Sequence, residues 1–206
     1  MNPARRSSNA GACLLIGDIG GTNARFALAN IGSPGFAEAH TLKCDDFESA
    51  DAAIKQYLES VGASSPSVIC LAAAGPIIDG HVRFTNNHWE IAADELAAEF
   101  SIEGVQLLND FEAIAYSVPL LTADDCMPLG LPEPAPLDAE HYMVGVIGPG
   151  TGLGAVGLRK YGNVLLPIAG EAGHGGFAPE TQVQIDILKV LRQRFDRVSS
   201  ERLVSG

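Results

Sequence analysis

Asp18 stands in GDIGGTNAR (17–25), between an apolar run beginning at Leu14 and a second one ending at Ala29. Glycines let the backbone come close to a ligand and tolerate positive φ, and successive amide N–H groups in such a turn can form an anion-binding nest. A carboxylate is an odd neighbour for a phosphate unless a cation stands between them. Gly17, Asp18, Ile19, Gly20, Gly21 and Thr22 therefore read as a phosphate-and-metal turn. The plainer reading makes Asp18 a turn residue satisfying local amides. The pattern returns at GPGTGLG (148–154), with Gly150, Thr151 and Gly152 at its centre. Two such turns are what a polyphosphate held from both ends requires, which favours the phosphate reading. Arg25 reads as a surface strand residue.

Asn109-Asp110 closes an apolar run and precedes a helical stretch. Either residue would serve as a helix N-cap. The same geometry allows chemistry, because a helix N-terminus favours an ionised carboxylate and such a carboxylate can accept a hydroxyl proton. The adjacent Asn can bond a second hydroxyl. Glu171 and His174 lie three apart in a glycine-rich loop, GEAGHGGFAP (170–179). A lone ExxH lacks the ligands of a closed metal site. Hydrogen bonding to vicinal sugar hydroxyls fits the pair better. Glu201 follows two serines and reads by default as a first-turn helix residue, the weakest of these candidates.

The elements that must position these residues follow from the pattern. Arg25 to Ile31 is too short for a parallel crossover, which needs roughly a dozen residues, so the first turn joins a hairpin. P-loop and dinucleotide-binding glycines lead instead from strand into helix. Phe36 to Cys44 continues as a third strand. A helix over Asp46–Val61 carries Phe47, Ile54, Tyr57, Leu58 and Val61 near a 3.6 period, and Ser67–Ala73 is a buried strand. A short strand at His81–Phe84, a polar loop over 85–89 and a helix over Ala92–Phe100 come next. A strand over Val105–Leu108 and a helix over Phe111–Val118 follow. Three strands and then alternating helices and strands suit a ribonuclease H-like, actin-type ATPase topology of the α/β class. Four prolines between 128 and 137 mark a loop or linker. His141–Ile147 and Ala155–Leu158 then flank the second glycine turn, so the chain is expected to have two lobes, each with a phosphate clamp. A helix over Glu180–Phe195 places Val183, Ile187, Val190, Leu191 and Phe195 on one face.

The chain has 206 residues, 47% hydrophobic and 18% charged, which suffices for a buried core. Its formal net charge of −12 argues against a nucleic-acid surface, since backbone recognition needs clustered Lys and Arg. Cys13, Cys44, Cys70 and Cys126 form no CxxC pair and read as small buried thiols of a reducing, cytoplasmic protein. The first twelve residues read as a frayed tail, and no run approaches the ~18 apolar residues of a membrane span.

In order, GDIGGTNAR, TNNHW (85–89), LLNDF (107–111), GPGTGLG, GEAGHGGFAP and SERLVSG (200–206) resemble the bacterial glucokinases among the hexokinase-like sugar kinases. The resemblance runs from about residue 13 to the last residue. It implies ATP-dependent phosphorylation of D-glucose at its 6-hydroxyl, giving glucose 6-phosphate and ADP at the head of glycolysis. It makes the 17–22 turn an ATP phosphate loop with Asp18 near Mg²⁺, and the Thr151 turn a second phosphate loop. Asp110 becomes the general base, and Asn109, Asp110, Glu171, His174 and Glu201 become glucose ligands. Residues 1–110 are then a small lobe with the first phosphate loop and the catalytic Asp. Residues 111–206 begin a large lobe with the second loop and the sugar-binding residues. The expected partners are glucose and ATP, with no nucleic acid and no membrane, and a homodimer is carried alongside.

Two departures shape these expectations. The related ROK sugar kinases usually follow ExGH with a cysteine-rich zinc motif. Here GEAGH leads to GGFAP and no Cys lies beyond 126, so no structural zinc is expected. Family members also continue well past Gly206, so the chain looks truncated, with an incomplete second lobe and much of the adenine side lacking. Two other readings stand beside the favoured one. The first is a kinase for another hexose. The second is a sugar-binding or regulatory module, or an inactive fragment, without turnover.

Overall fold

The computed structural model describes residues 13–32, 35–84, 87–130 and 137–206. The amino-terminal tail, the Ser33-Pro34 break, the first two residues of the 85–89 loop and most of the proline-rich linker lie outside them. The chain divides into two compact units, Met1–Asp110 and Phe111–Gly206.

In the first unit, β1 (Cys13–Ile19), β2 (Asn23–Asn30) and β3 (Phe36–Lys43) form an antiparallel meander. Helix α1 (Ala50–Ser60) crosses to β4 (Val68–Ala73), which runs parallel to β1. A small antiparallel sheet of β5 (Ile77–Ile78), β6 (His81–Arg83) and β7 (Glu90–Ala92) follows. Helix α2 (Ala93–Phe100) then leads to β8 (Val105–Asn109), parallel to β4. The resulting order, β3-β2-β1-β4-β8, is the expected ribonuclease H-like arrangement.

Local chemistry sets the helix ends. Helix α1 begins later than its apolar period implies, because 44–46 form a 3₁₀ turn and the Ser49 side chain caps the helix by accepting from Ala52 N. Helix α2 ends at Ser101 in a left-handed conformation, φ 54°, where Ile102 N still bonds Ala97 O. Between the helices and the sheet lies a core of Leu15, Ile19, Phe26, Ile54, Tyr57, Ile69, Leu71 and Trp89. The two polar tips in it are satisfied: Tyr57 Oη donates to Glu38 O and Trp89 Nε1 to Phe47 O.

The second unit holds most of α3 (Asp110–Ser117) and the meander of β9 (His141–Pro149), β10 (Leu153–Tyr161) and β11 (Val164–Ala169). Ala115, Val118, Val156 and Leu158 are its buried core, with Phe111, Tyr142, Val144 and Val146 packed against them. Helix α4 (Gln182–Leu191) starts at a capping box in which Thr181 and Gln184 bond each other's backbone N–H. It is shorter at both ends than the 180–195 pattern implies, and no residue in it is buried. Its apolar stripe faces outward, with Val183 70% and Val190 57% exposed. Helix α5 (Glu201–Val204) is a single turn. No helix among the described residues is long and apolar enough to cross a membrane. Cys44 is buried and Cys13 and Cys70 are half-buried, while Cys126 is exposed, contrary to the expectation of four buried thiols. It lies in the loop that follows the 3₁₀ turn at 123–125.

Candidate active site

The first turn is tighter than its glycines imply. Gly20 N donates to Asn23 O at 2.9 Å, leaving Gly21 and Thr22 at the tip, while Gly17, Asp18 and Ile19 belong to β1. Gly20 is not in the left-handed region, so this position does not use the positive φ that glycine permits. Gly17 answers to packing as well, since a Cβ there would stand 2.7 Å from Leu71 Cδ2 and 3.0 Å from the Phe26 ring. The turn is tied from outside by Asn87, whose Nδ2 donates to Gly20 O at 3.2 Å, and by Cys44 N, which donates to Thr22 O at 2.9 Å.

Asp18 Oδ2 accepts from Arg25 Nη1 at 2.8 Å, and both side chains are more than half exposed. Arg25 is thus more than the surface strand residue expected. A signal for it was present: a two-residue tip at 21–22 puts 18 opposite 25, an opposite-charge cross-strand pair. Asn87 carried no comparable signal, because its partner lies 67 residues away.

Asn109 ends β8 and Asp110 opens α3. The Asn109 side chain donates from Nδ2 to Gly75 O at 3.1 Å, which fixes it to the turn after β4. Asp110 is the first residue of the helix.

In the second unit, β9 and β10 pair through Pro149 and Leu153, leaving Gly150, Thr151 and Gly152 as the loop. Gly148 and Gly154 flank it and serve packing: a Cβ on Gly148 would lie 2.7 Å from the Phe111 ring, and one on Gly154 only 1.9 Å from it. The 172–174 segment is a 3₁₀ turn, and Gly173 abuts the Leu153 carbonyl so closely that a Cβ would collide with it. That contact sets His174 beside the glycine loop. His174 Nε2 lies 3.4 Å from Glu171 Oε2, and Nδ1 lies 3.6 Å from Glu201 Oε1. The ring therefore stands between two carboxylates. Glu201 Oε2 accepts from Leu153 N at 3.0 Å. Backbone bonds from Phe177 N to Val198 O and from Ser200 N to Gly175 O hold the two segments side by side. Such a set of acceptors, with a ring that can donate or accept, suits a polyhydroxy ligand.

The glucokinase family model matches residues 15–206. The chain is 42% identical over 192 residues to a glucokinase of Chromohalobacter salexigens, covering 93% of this chain and 59% of that one. It is 41% identical over 194 residues to a glucokinase of a Caulobacter species, strain K31, with 93% and 58% covered. Among solved structures, a glucokinase from an Antarctic psychrotroph superposes with a TM-score of 0.82 at 34% identity, covering 95% of this chain and 61% of that one. A glucokinase from Balamuthia mandrillaris in complex with glucose gives 0.71 at 25% identity, covering 97% and 61%. The chain thus spans about three fifths of the length of the relatives it matches. With the family model matched from Leu15 to Gly206 and the sheet order that goes with it, the chain belongs to the glucokinase family.

Proposed function

We propose that the chain carries the sugar- and phosphate-binding residues of an ATP-dependent kinase that transfers a phosphoryl group to the 6-hydroxyl of D-glucose, giving glucose 6-phosphate and ADP. The observation that carries this reading is His174 held between Glu171 and Glu201, with Glu201 also bonded to the second glycine turn. In this reading Asn109, Asp110, Glu171, His174 and Glu201 bind glucose, and Asp110 takes the hydroxyl proton. The backbones of 17–22 and 150–152 receive phosphate oxygens. Transfer of this kind depends on positioning and charge stabilisation more than on covalent chemistry.

In the same reading a divalent ion stands near Asp18 at the end of β1; Oδ2 of that carboxylate is paired with Arg25, and Oδ1 is its other oxygen. One carboxylate with substrate phosphates is the usual way to hold Mg²⁺. When bound, the ion would offset charge on the transferring phosphoryl group. Cytoplasmic location and a homodimer belong to the same proposal.

A coupled ADP-release assay across glucose, mannose, fructose and an amino sugar, with calorimetry on the same protein, tests it. Glucose binding with turnover supports the kinase. Glucose binding without turnover supports the sugar-binding module or an inactive fragment of the kinase instead. Preference for another hexose corrects the substrate.

A further inference from the structure

The backbone of Leu153 is held at both its N–H and its carbonyl within the second unit. Its N–H donates to Glu201 Oε2 at 3.0 Å, and its carbonyl lies against Gly173 of the 171–174 loop. Gly152 sits directly under the same carboxylate, where a Cβ would stand 2.9 Å from Oε2. The other side of the loop is anchored by Gly206 N, which donates to Gly150 O at 2.8 Å. Glu201 itself is held by α5, since Ser205 N and Ser205 Oγ both donate to its carbonyl, at 2.9 and 2.7 Å. The second carboxylate oxygen, Oε1, faces His174 at 3.6 Å.

A residue that served only a sugar would not need one oxygen committed to the backbone of a glycine loop. We propose that Glu201 is a positioning residue for the Gly150–Thr151–Gly152 loop, coupling hexose occupancy of Glu171, His174 and Glu201 to the shape of that loop. The proposal rests on the hexose-binding reading above. A sugar hydroxyl donating to Oε1 restrains the carboxylate, and a restrained carboxylate keeps Oε2 on Leu153 N for more of the time. The loop is then ordered when sugar is present. By linkage, an anion that orders the loop tightens sugar binding by the same factor.

Amide hydrogen exchange at Leu153, followed by NMR on the whole chain with and without glucose, reads this directly. Hydrogen bonds to charged groups are among the stronger ones, so Glu201→Ala is expected to speed Leu153 exchange about tenfold. The amides of Val144 and Val146, away from the loop, stay unchanged. Glu201→Gln keeps a carbonyl acceptor and rescues most of the protection. Gly152→Ala crowds the carboxylate and speeds Leu153 exchange with Glu201 intact. Saturating glucose slows Leu153 exchange in the unsubstituted chain and not in Glu201→Ala. Unchanged Leu153 exchange in Glu201→Ala overturns the positioning role. Glucose heat by calorimetry with no effect on Leu153 overturns the coupling alone. No glucose heat overturns the coupling together with the sugar reading, while the sugar-free comparison of variants still decides the positioning role.

Discussion

The ring of Phe111, the second residue of α3, fills the space above Gly154 in β10, where no side chain can stand. Gly148, paired with Gly154 across the hairpin, lies under the same ring. The helix that begins at Asp110 is thereby seated on the two strands that carry the second glycine loop. Gly154→Ala is expected to destabilise the chain by about 1–3 kcal/mol through overpacking. Adding Phe111→Ala should recover part of that loss, so that the two changes are not additive. Urea unfolding of the two single variants and the double variant measures it, and strict additivity would remove the contact from the account.

On the proposed reading, substitutions at Asp110 and at the second-unit residues separate turnover from binding. Asp110→Asn is expected to keep glucose affinity within about threefold while lowering turnover by about 10²–10⁴, the range of a general base. Glu171→Gln and His174→Ala should instead raise the glucose KM. Calorimetry beside the coupled assay distinguishes the two, and undiminished turnover in Asp110→Asn would reject the base assignment.

The Asp18–Arg25 pair is more than half exposed on both sides, and exposed ion pairs contribute little. Asp18→Asn should change stability by less than about 1 kcal/mol. It should nonetheless reduce the dependence of ATP binding on Mg²⁺. ATP titrations at several magnesium concentrations, with a thermal melt as control, check both parts.

Helix α4 and β10 offer a contrast in burial. Val183 and Val190 are exposed, and replacing either with Lys should alter stability by no more than about 0.5 kcal/mol. Leu158 is fully buried, and Leu158→Ala should cost about 2–5 kcal/mol. Chemical unfolding of the three variants gives the comparison.

The cysteines differ in environment. Burial pushes the Cys44 and Cys70 thiols above the ordinary thiol range, whereas Cys126 is exposed. An alkylating reagent near pH 8 should modify Cys126 first and reach Cys44 and Cys70 only on unfolding, as peptide mass mapping would show. The raised folded-state values also give a sign for stability. The contribution of these two thiols is complete below their unfolded pKa and is lost as the pH rises through the folded one.

Much of the first unit was legible locally. The hairpin around Gly21-Thr22 follows from chain length alone, since too few residues remain before Ser33 for a parallel return. Three strands followed by alternating helices and strands then imply the observed order. The edges of α1 and α4 were misjudged, because apolar periodicity reaches back to Phe47, before the Ser49 cap of α1, and on to Phe195, past the end of α4 at Leu191. The exposed stripe of α4 shows the same limit, since periodicity marks an apolar face without saying what covers it.

The residue types at the candidate site, and the 171–174 spacing that lets one ring meet one carboxylate, were determined by the sequence itself. Tertiary structure decided which glycines answer to packing. Gly17 lies beneath Leu71, Gly148 and Gly154 beneath Phe111, and Gly173 against Leu153, each contact made by a segment distant in sequence. It also decided the standing of Glu201, which as a first-turn helix residue has no local signal. The pairing of Gly176 with Ser199 and the bond to Leu153 N bring that carboxylate to His174 and the glycine loop. Local chemistry is written in spacing, whereas a contact across 48 residues exists only once the intervening chain has folded back.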